Sequence, residues 1–485
     1  MGLPNAFALL QQSGKRKPTE PSPRDGASAN KKQKFSAVDK NLSESSFEDC
    51  NAFAHMMQKQ RERSQTWSFF LGRHPDGAYY WHIWRDKHLA ADAKATGGEK
   101  ADAGLDHATQ QRLIASAKWS ATVQVPLAAL ECRCEGSTAT AADTKVTMKL
   151  LTDIQPGPED SLRALGNEGS AQSPSGRAWE YTGTSGLLKS ALQKNVRLGR
   201  ADAAVRVALH LLKLDASELL RRACIICLED ALLHPSLPLL VWLMAAVPKG
   251  YAMGRMLALA CLTIIHELAS VPVRDHQSPG PAAGTSSSPG VQLAAAASNL
   301  VRCILLRAAY GGMGGDVSML QKFAGSWKYR FESSETLAIL KAASTCQQSL
   351  QLDAQPDAAW LAYLHQRLST TAGNGLQQLR GMEPGDIPLS AVDFHISNIL
   401  ENLLNNRDII TAALAAGRDP LQIMRDAIWL FSSSINARTW VQEPDQESQE
   451  QRRVRRSRLE AVWKVAAPPA KAYARQYVKA RFREL

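Results

Sequence analysis

The chain has 485 residues, of which 45% are hydrophobic and 6% aromatic, and a formal net charge of +11. That length suits two or three domains with real cores, and no apolar run reaches the roughly 18–20 residues of a membrane helix, so no membrane association is expected. The charge is uneven: residues 1–64 carry 11 Lys/Arg against 7 Asp/Glu, residues 450–485 carry 11 against 3, and the remainder is net −1, which speaks against a domain whose whole surface is built for DNA.

Residues 1–64 read as a disordered tail, rich in Pro, Ser, Gly and Ala between two basic clusters, Lys15-Arg16-Lys17 and Lys31-Lys32-Gln33-Lys34. Such clusters suit the acidic grooves of a nuclear import receptor, so Lys15, Arg16, Lys17, Lys31, Lys32 and Lys34 are the import candidates. No apolar stretch follows a basic start, so no secretory signal is expected. The phrase Asn-Ala-Phe-Ala occurs at 5–8 and again at 51–54. It places Phe7 with Leu10, and Phe53 with Met56, three residues apart. An induced helix would present each pair on one face, as a partner-docking peptide does.

Residues 65–155 read as a small β-rich unit. Strand-like runs at 66–71 and 78–84 flank the turn His74-Pro75-Asp76-Gly77, a polar insertion follows at about 91–110, and further strands are expected at 121–127 and 145–151. The aromatic hairpin can be read two ways. Trp67, Phe69, Phe70, Tyr79, Tyr80, Trp81 and Trp84 suit a compact sheet core, and beside Arg73, His82 and Arg85 they also suit a face that stacks nucleobases. Residues 156–184 read as a linker.

From 185 to 440 the apolar spacing predicts a helical domain with a flexible loop at 274–290. Helices are expected at 187–197, 201–213, 216–232, 237–247, 252–271, 291–309, 334–350, 357–369, 389–405, 408–416 and 420–436. A basic segment over 441–485 is predicted as two helices, 450–465 and 470–483, parted by Pro468-Pro469. Its Arg452, Arg453, Arg455, Arg456 and Arg458 are candidate nucleic-acid contacts. The fold class expected is mainly α: an irregular helical bundle with a small N-terminal β-rich unit.

No chemical motif is complete. Gly183-Thr184-Ser185-Gly186-Leu187-Leu188-Lys189-Ser190 has Leu188 where a phosphate loop needs Gly, so it reads as a helix start with Ser185 as a cap. Cys224-Ile-Ile-Cys227 has knuckle spacing without a second pair, and the eight cysteines read as free thiols in a reducing compartment. His266-Glu267 lacks a second His. Asp393 and His395, with Glu229-Asp230, are the remaining candidates for a metal-dependent nuclease-like site. No cofactor is expected.

The block Leu188-Lys189-Ser190-Ala191-Leu192-Gln193-Lys194-Asn195-Val196-Arg197-Leu198-Gly199-Arg200-Ala201-Asp202-Ala203-Ala204, followed by Leu219-Leu220-Arg221-Arg222 and Leu228-Glu229-Asp230, carries a resemblance. It resembles the helical C-terminal region of the clamp-loader-related, replication-associated recombination ATPases, over about residues 188–230 and without their ATPase module. The resemblance implies a helical scaffold of DNA maintenance, capable of self-association as a homo-oligomer. Together these features predict a nuclear, non-enzymatic scaffold or adaptor in DNA replication or repair, binding protein partners through short peptides and nucleic acid weakly through its basic ends. The alternative is a nucleic-acid-processing enzyme of the metal-dependent nuclease kind.

Overall fold

The computed structural model describes residues 66–86, 105–134, 144–158, 162, 165, 177–271, 273–274, 295–332, 381–392, 397–417, 419–434, 439–440 and 448–485. β1 (Thr66–Arg73) and β2 (Tyr79–Arg85) form an antiparallel hairpin, closed where the His74 amide donates to the Ala78 carbonyl at 2.8 Å. Next come α1 (His107–Ser116), β3 (Trp119–Pro126), α2 (Leu127–Leu130) and β4 (Lys145–Thr152). The sheet runs β2-β1-β4-β3, with β1 and β4 parallel and both outer pairs antiparallel.

Alternation along these strands settles most of the aromatic hairpin as core. Trp67, Phe69, Leu71 and Ile83 face the main core, whereas Phe70, Trp84 and Leu151 lie on the other face under Leu105, Leu113 and Ala117, in and beside α1. Tyr80 pairs with Gly72 across the hairpin, where an added Cβ would come within 2.2 Å of the ring. Gly72 is thus required by the close approach of its neighbour. Tyr79, Tyr80, Trp81 and His82 are half-buried, and Arg73 and Arg85 are exposed.

β5 (Trp179–Tyr181) leads into α3 (Ser185–Arg197), α4 (Ala201–Leu214), α5 (Ala216–Glu229), α6 (Leu237–Ala246), α7 (Arg255–Ser270), β6 (Val273–Arg274), α8 (Ala295–Ala309) and α9 (Gly314–Glu332). After single 3-10 turns at Pro384–Asp386 and Leu389–Ala391 come α10 (Ser397–Leu404), α11 (Arg407–Ala416), α12 (Pro420–Ser432), β7 (Thr439–Trp440), α13 (Gln449–Lys479) and β8 (Phe482–Glu484). β5 pairs antiparallel with β8, and β6 parallel with β7. The fold is mainly α with a small mixed sheet.

α3 ends in a Schellman turn: Gly199 takes φ +68°, its amide donates to Val196 O, and the Arg200 amide donates to Asn195 O. This tight reversal sets α4 directly against α3. Asp215 then accepts from the Glu218 amide and starts α5. α6 is apolar and buried on every side, as its composition demands. Its Trp242 indole donates to the Phe69 carbonyl of β1 at 3.1 Å, tying helices to sheet.

Several expectations change. The sequence separates 65–155 and 185–440 as two units, but the sheet and α3–α9 share one continuous apolar core. The linker 156–184 contains β5, and Leu165 within it is buried. α1 occupies part of the expected polar insertion, and α9 stands where no helix is expected. Thr184, not Ser185, takes the cap position of α3, without a side-chain hydrogen bond. α13 passes unbroken through Pro468 and Pro469, because packing along its length outweighs the absence of two amide donors. The expected helices 334–350 and 357–369 lie outside the described residues, as does the loop 275–290.

A second, smaller core joins Ile399, Leu400, Leu403, Ile409, Ala413, Met424, Ala427 and Ile428 of α10–α12 to Leu459, Val462, Ala466 and Ala470 of α13. Farther along the same helix, Ala474 and Val478 belong to the main core. The proline pair sits between Ala466 and Ala470, both in the small core, about one turn before the helix reaches the main core.

Candidate nucleic-acid interface

α13 is amphipathic from Leu459 onward and carries nine Lys and Arg against two Glu. Ser448 caps it: its hydroxyl accepts from the Gln451 amide at 3.2 Å, while the Gln451 side chain accepts from the Ser448 amide at 3.1 Å. The first side chain on the buried face is Leu459. Before it, each described side chain from Glu450 to Arg458 is exposed, so about two turns project beyond the small core.

Arg453, Arg455, Arg456 and Arg458 all lie on this projecting segment and are exposed. At 100° per residue, Arg453 and Arg456 share one flank, and Arg455 and Arg458 the other. Arg452 belongs to the same helix, with its side chain outside the described residues. A polar helix surrounded by guanidinium groups presents multidentate donors in several directions, the chemistry that phosphate oxygens accept.

The structure also shows a basic line that the sequence pattern does not reveal. Lys464, Lys471, Arg475 and Lys479 are exposed on the side of α13 away from its buried face. Their spacing of seven, four and four is the helical repeat. Two helices parted by prolines would not align these residues, whereas one unbroken helix does.

The other candidates are used internally or lie elsewhere. Glu229 and Asp230 meet the buried Arg197 guanidinium, which contacts Glu229 at 3.1 Å and pairs with Asp230; Gln193 donates to both carboxylates, at 2.9 and 2.7 Å. That occupation weakens the nuclease-like reading, since both carboxylates have cationic and amide partners. Glu267 accepts from His234 Nε2 at 2.9 Å, because the Ser236 amide donates to Nδ1 and fixes the proton on the other nitrogen. Lys189, at the position a phosphate loop would give its lysine, pairs with Glu218, and Leu188 is buried.

Cys224 and Cys227 are buried in α5, and burial pushes the Cys224 thiol up to about 12 and the Cys227 thiol higher still. Among the described residues no three His, Cys, Asp or Glu side chains converge as a metal site, and no helix is long and apolar enough to cross a membrane. The import candidates Lys15, Arg16, Lys17, Lys31, Lys32 and Lys34, the docking candidates Phe7, Leu10, Phe53 and Met56, and Asp393 and His395 all lie outside the described residues. The chain matches no protein family, no curated protein and no solved structure.

Proposed function

We propose that the protein is a nuclear, non-enzymatic scaffold or adaptor of DNA replication and repair, and that the projecting start of α13 is its contact with nucleic acid. The observation that carries this reading is the segment from Glu450 to Arg458, exposed at every described side chain and bearing arginines on both flanks. The neutral charge of the chain between residues 64 and 450 makes the ends the natural anchors. The resemblance over 188–230 points toward the same class of process. Import through the two basic clusters, and partner docking through Phe7, Leu10, Phe53 and Met56, complete the reading.

Anisotropy of a labelled DNA duplex titrated with the full chain tests the assignment. Binding should be weak, indifferent to sequence and steeply salt-dependent. Changing Arg453, Arg455, Arg456 and Arg458 to Gln should lower the slope of log K against log salt by up to about 0.9 for each phosphate left without its cation. A variant that binds like the parent overturns the assignment of this segment.

A further inference from the structure

We infer that Arg453, Lys464, Lys471, Arg475 and Lys479 form one continuous ridge along α13 that lies on the phosphate backbone of a DNA duplex. The inference rests on the proposed binding of nucleic acid by α13 and names both its extent and the form of nucleic acid it takes.

The five residues follow one another at spacings of eleven, seven, four and four, so all fall on one side of the helix. All five are exposed. At about 1.5 Å per residue the ridge is about 39 Å long. Ala461, Pro468 and Ala472, all small side chains, lie between the cations and are exposed. Two carboxylates of α13 lie near this side: Glu450 in the first turn, and Glu460, which is 3.9 Å from Lys464.

The ridge selects among polyanions. Single strands are held largely by aromatic side chains on which bases stack. The rings of α13 are turned inward instead: Trp463 stacks on Phe431 with centroids 6.2 Å apart, and Tyr473 and Tyr477 pack against the core. A helix that lies on a lipid surface inserts its apolar face, and here that face is already occupied by α10–α12 and the main body. What remains is a row of flexible cations along one side of a helix, which matches a stiff duplex of regularly repeated charge and reads no base edge.

The test uses the full chain with Lys464, Lys471, Arg475 and Lys479 changed to Gln, beside the Arg453/Arg455/Arg456/Arg458→Gln variant. Both are titrated against a 25-base-pair duplex, against one of its strands, and against phosphatidylserine-containing vesicles. Circular dichroism checks folding, and a charge-keeping set (Lys464→Arg, Lys471→Arg, Arg475→Lys, Lys479→Arg) should bind like the parent. The salt slope of the ridge variant on the duplex should fall by about 0.9 for each phosphate left without its cation. If it keeps parental slope and affinity while the arginine variant weakens, the ridge falls and the role of the α13 start stands. If neither variant changes, both fall. A single strand bound as tightly as the duplex, or binding confined to vesicles, also overturns the ridge.

Discussion

In the main core, α6 is buried on all sides, and polar side chains enter along α3 with named partners. Lys194 donates to Ser433 O at 2.6 Å, Asn195 to Asp386 O at 2.8 Å, Ser190 to Ala391 O at 2.8 Å, and Arg197 meets Glu229 and Asp230. In the small core, α10, α11 and α12 each supply a narrow apolar stripe, and Leu414, Leu421 and Trp429 remain exposed on the outside. The first region is specified by both volume and directed hydrogen bonds, the second chiefly by volume. Buried polar groups that are satisfied restrict a core to one arrangement, because any shift leaves a desolvated donor or acceptor unmet. The main body should therefore unfold as one cooperative unit, and the α10–α12 layer should open at lower cost.

Leu188→Asp should break the main core outright. Leu188 is buried in α3, and an unpaired buried carboxylate costs several kcal/mol of the ~5–15 kcal/mol that stabilises a domain. Loss of the folded circular dichroism spectrum is the expected result. Arg197→Ala should cost about 3–5 kcal/mol, because Asp230 would be left buried without its cation. Urea melts read this, and a change below 1 kcal/mol would show that the pair does not organise α3.

Met424→Ala tests the other region. Met424 is buried in the small core, and its truncation should cost ~2–5 kcal/mol. Hydrogen exchange should show α10–α12 opening while α3–α7 keep their protection; equal weakening in both would mean that there is one cooperative unit. Replacing Pro468 and Pro469 by Ala should stabilise α13 by at most ~3 kcal/mol per residue and bring the two transitions closer together.

The smallest effect belongs to Lys189→Ala. Lys189 and Glu218 are both partly exposed, so the pair contributes less than ~1 kcal/mol. The hydrogen bond from Lys189 holds the Glu218 carboxyl below its ordinary 4.5. A depressed carboxylate stabilises the fold above its unfolded value and loses that contribution as pH falls through the folded one. The difference between parent and variant should thus be present at pH 6 and vanish in strongly acidic solution.

Much of the fold was legible because periodicity is local. The four strands of the main sheet and most of the helices from α3 to α12 follow from alternation and three-four spacing. α9 was hidden by the glycines at 311–315, although Leu320, Phe323, Ala324, Trp327 and Phe331 keep a helical repeat behind them. The continuity of α13 was not legible, since the cost of an internal proline is local and the packing that offsets it comes from α11 and α12. The arginine segment of the candidate interface could be read directly as a charge run. Its extension along Lys464, Lys471, Arg475 and Lys479 needed the unbroken helix. Nor could the sequence reveal that Lys194 is buried, because its acceptor on Ser433 is far away along the chain.

The pairing of β5 with β8 bears on the order of assembly. β5 is made before α3, and its partner only after α13. The helices α3 to α9 can collapse and pack while β5 still lacks its partner strand. Pairings so distant in sequence form late, because the chain between them must first give up its freedom. The two short strands therefore act as a final clasp, and a ribosome-bound intermediate lacking residues 482–484 should already hold the α3–α9 body in its native arrangement.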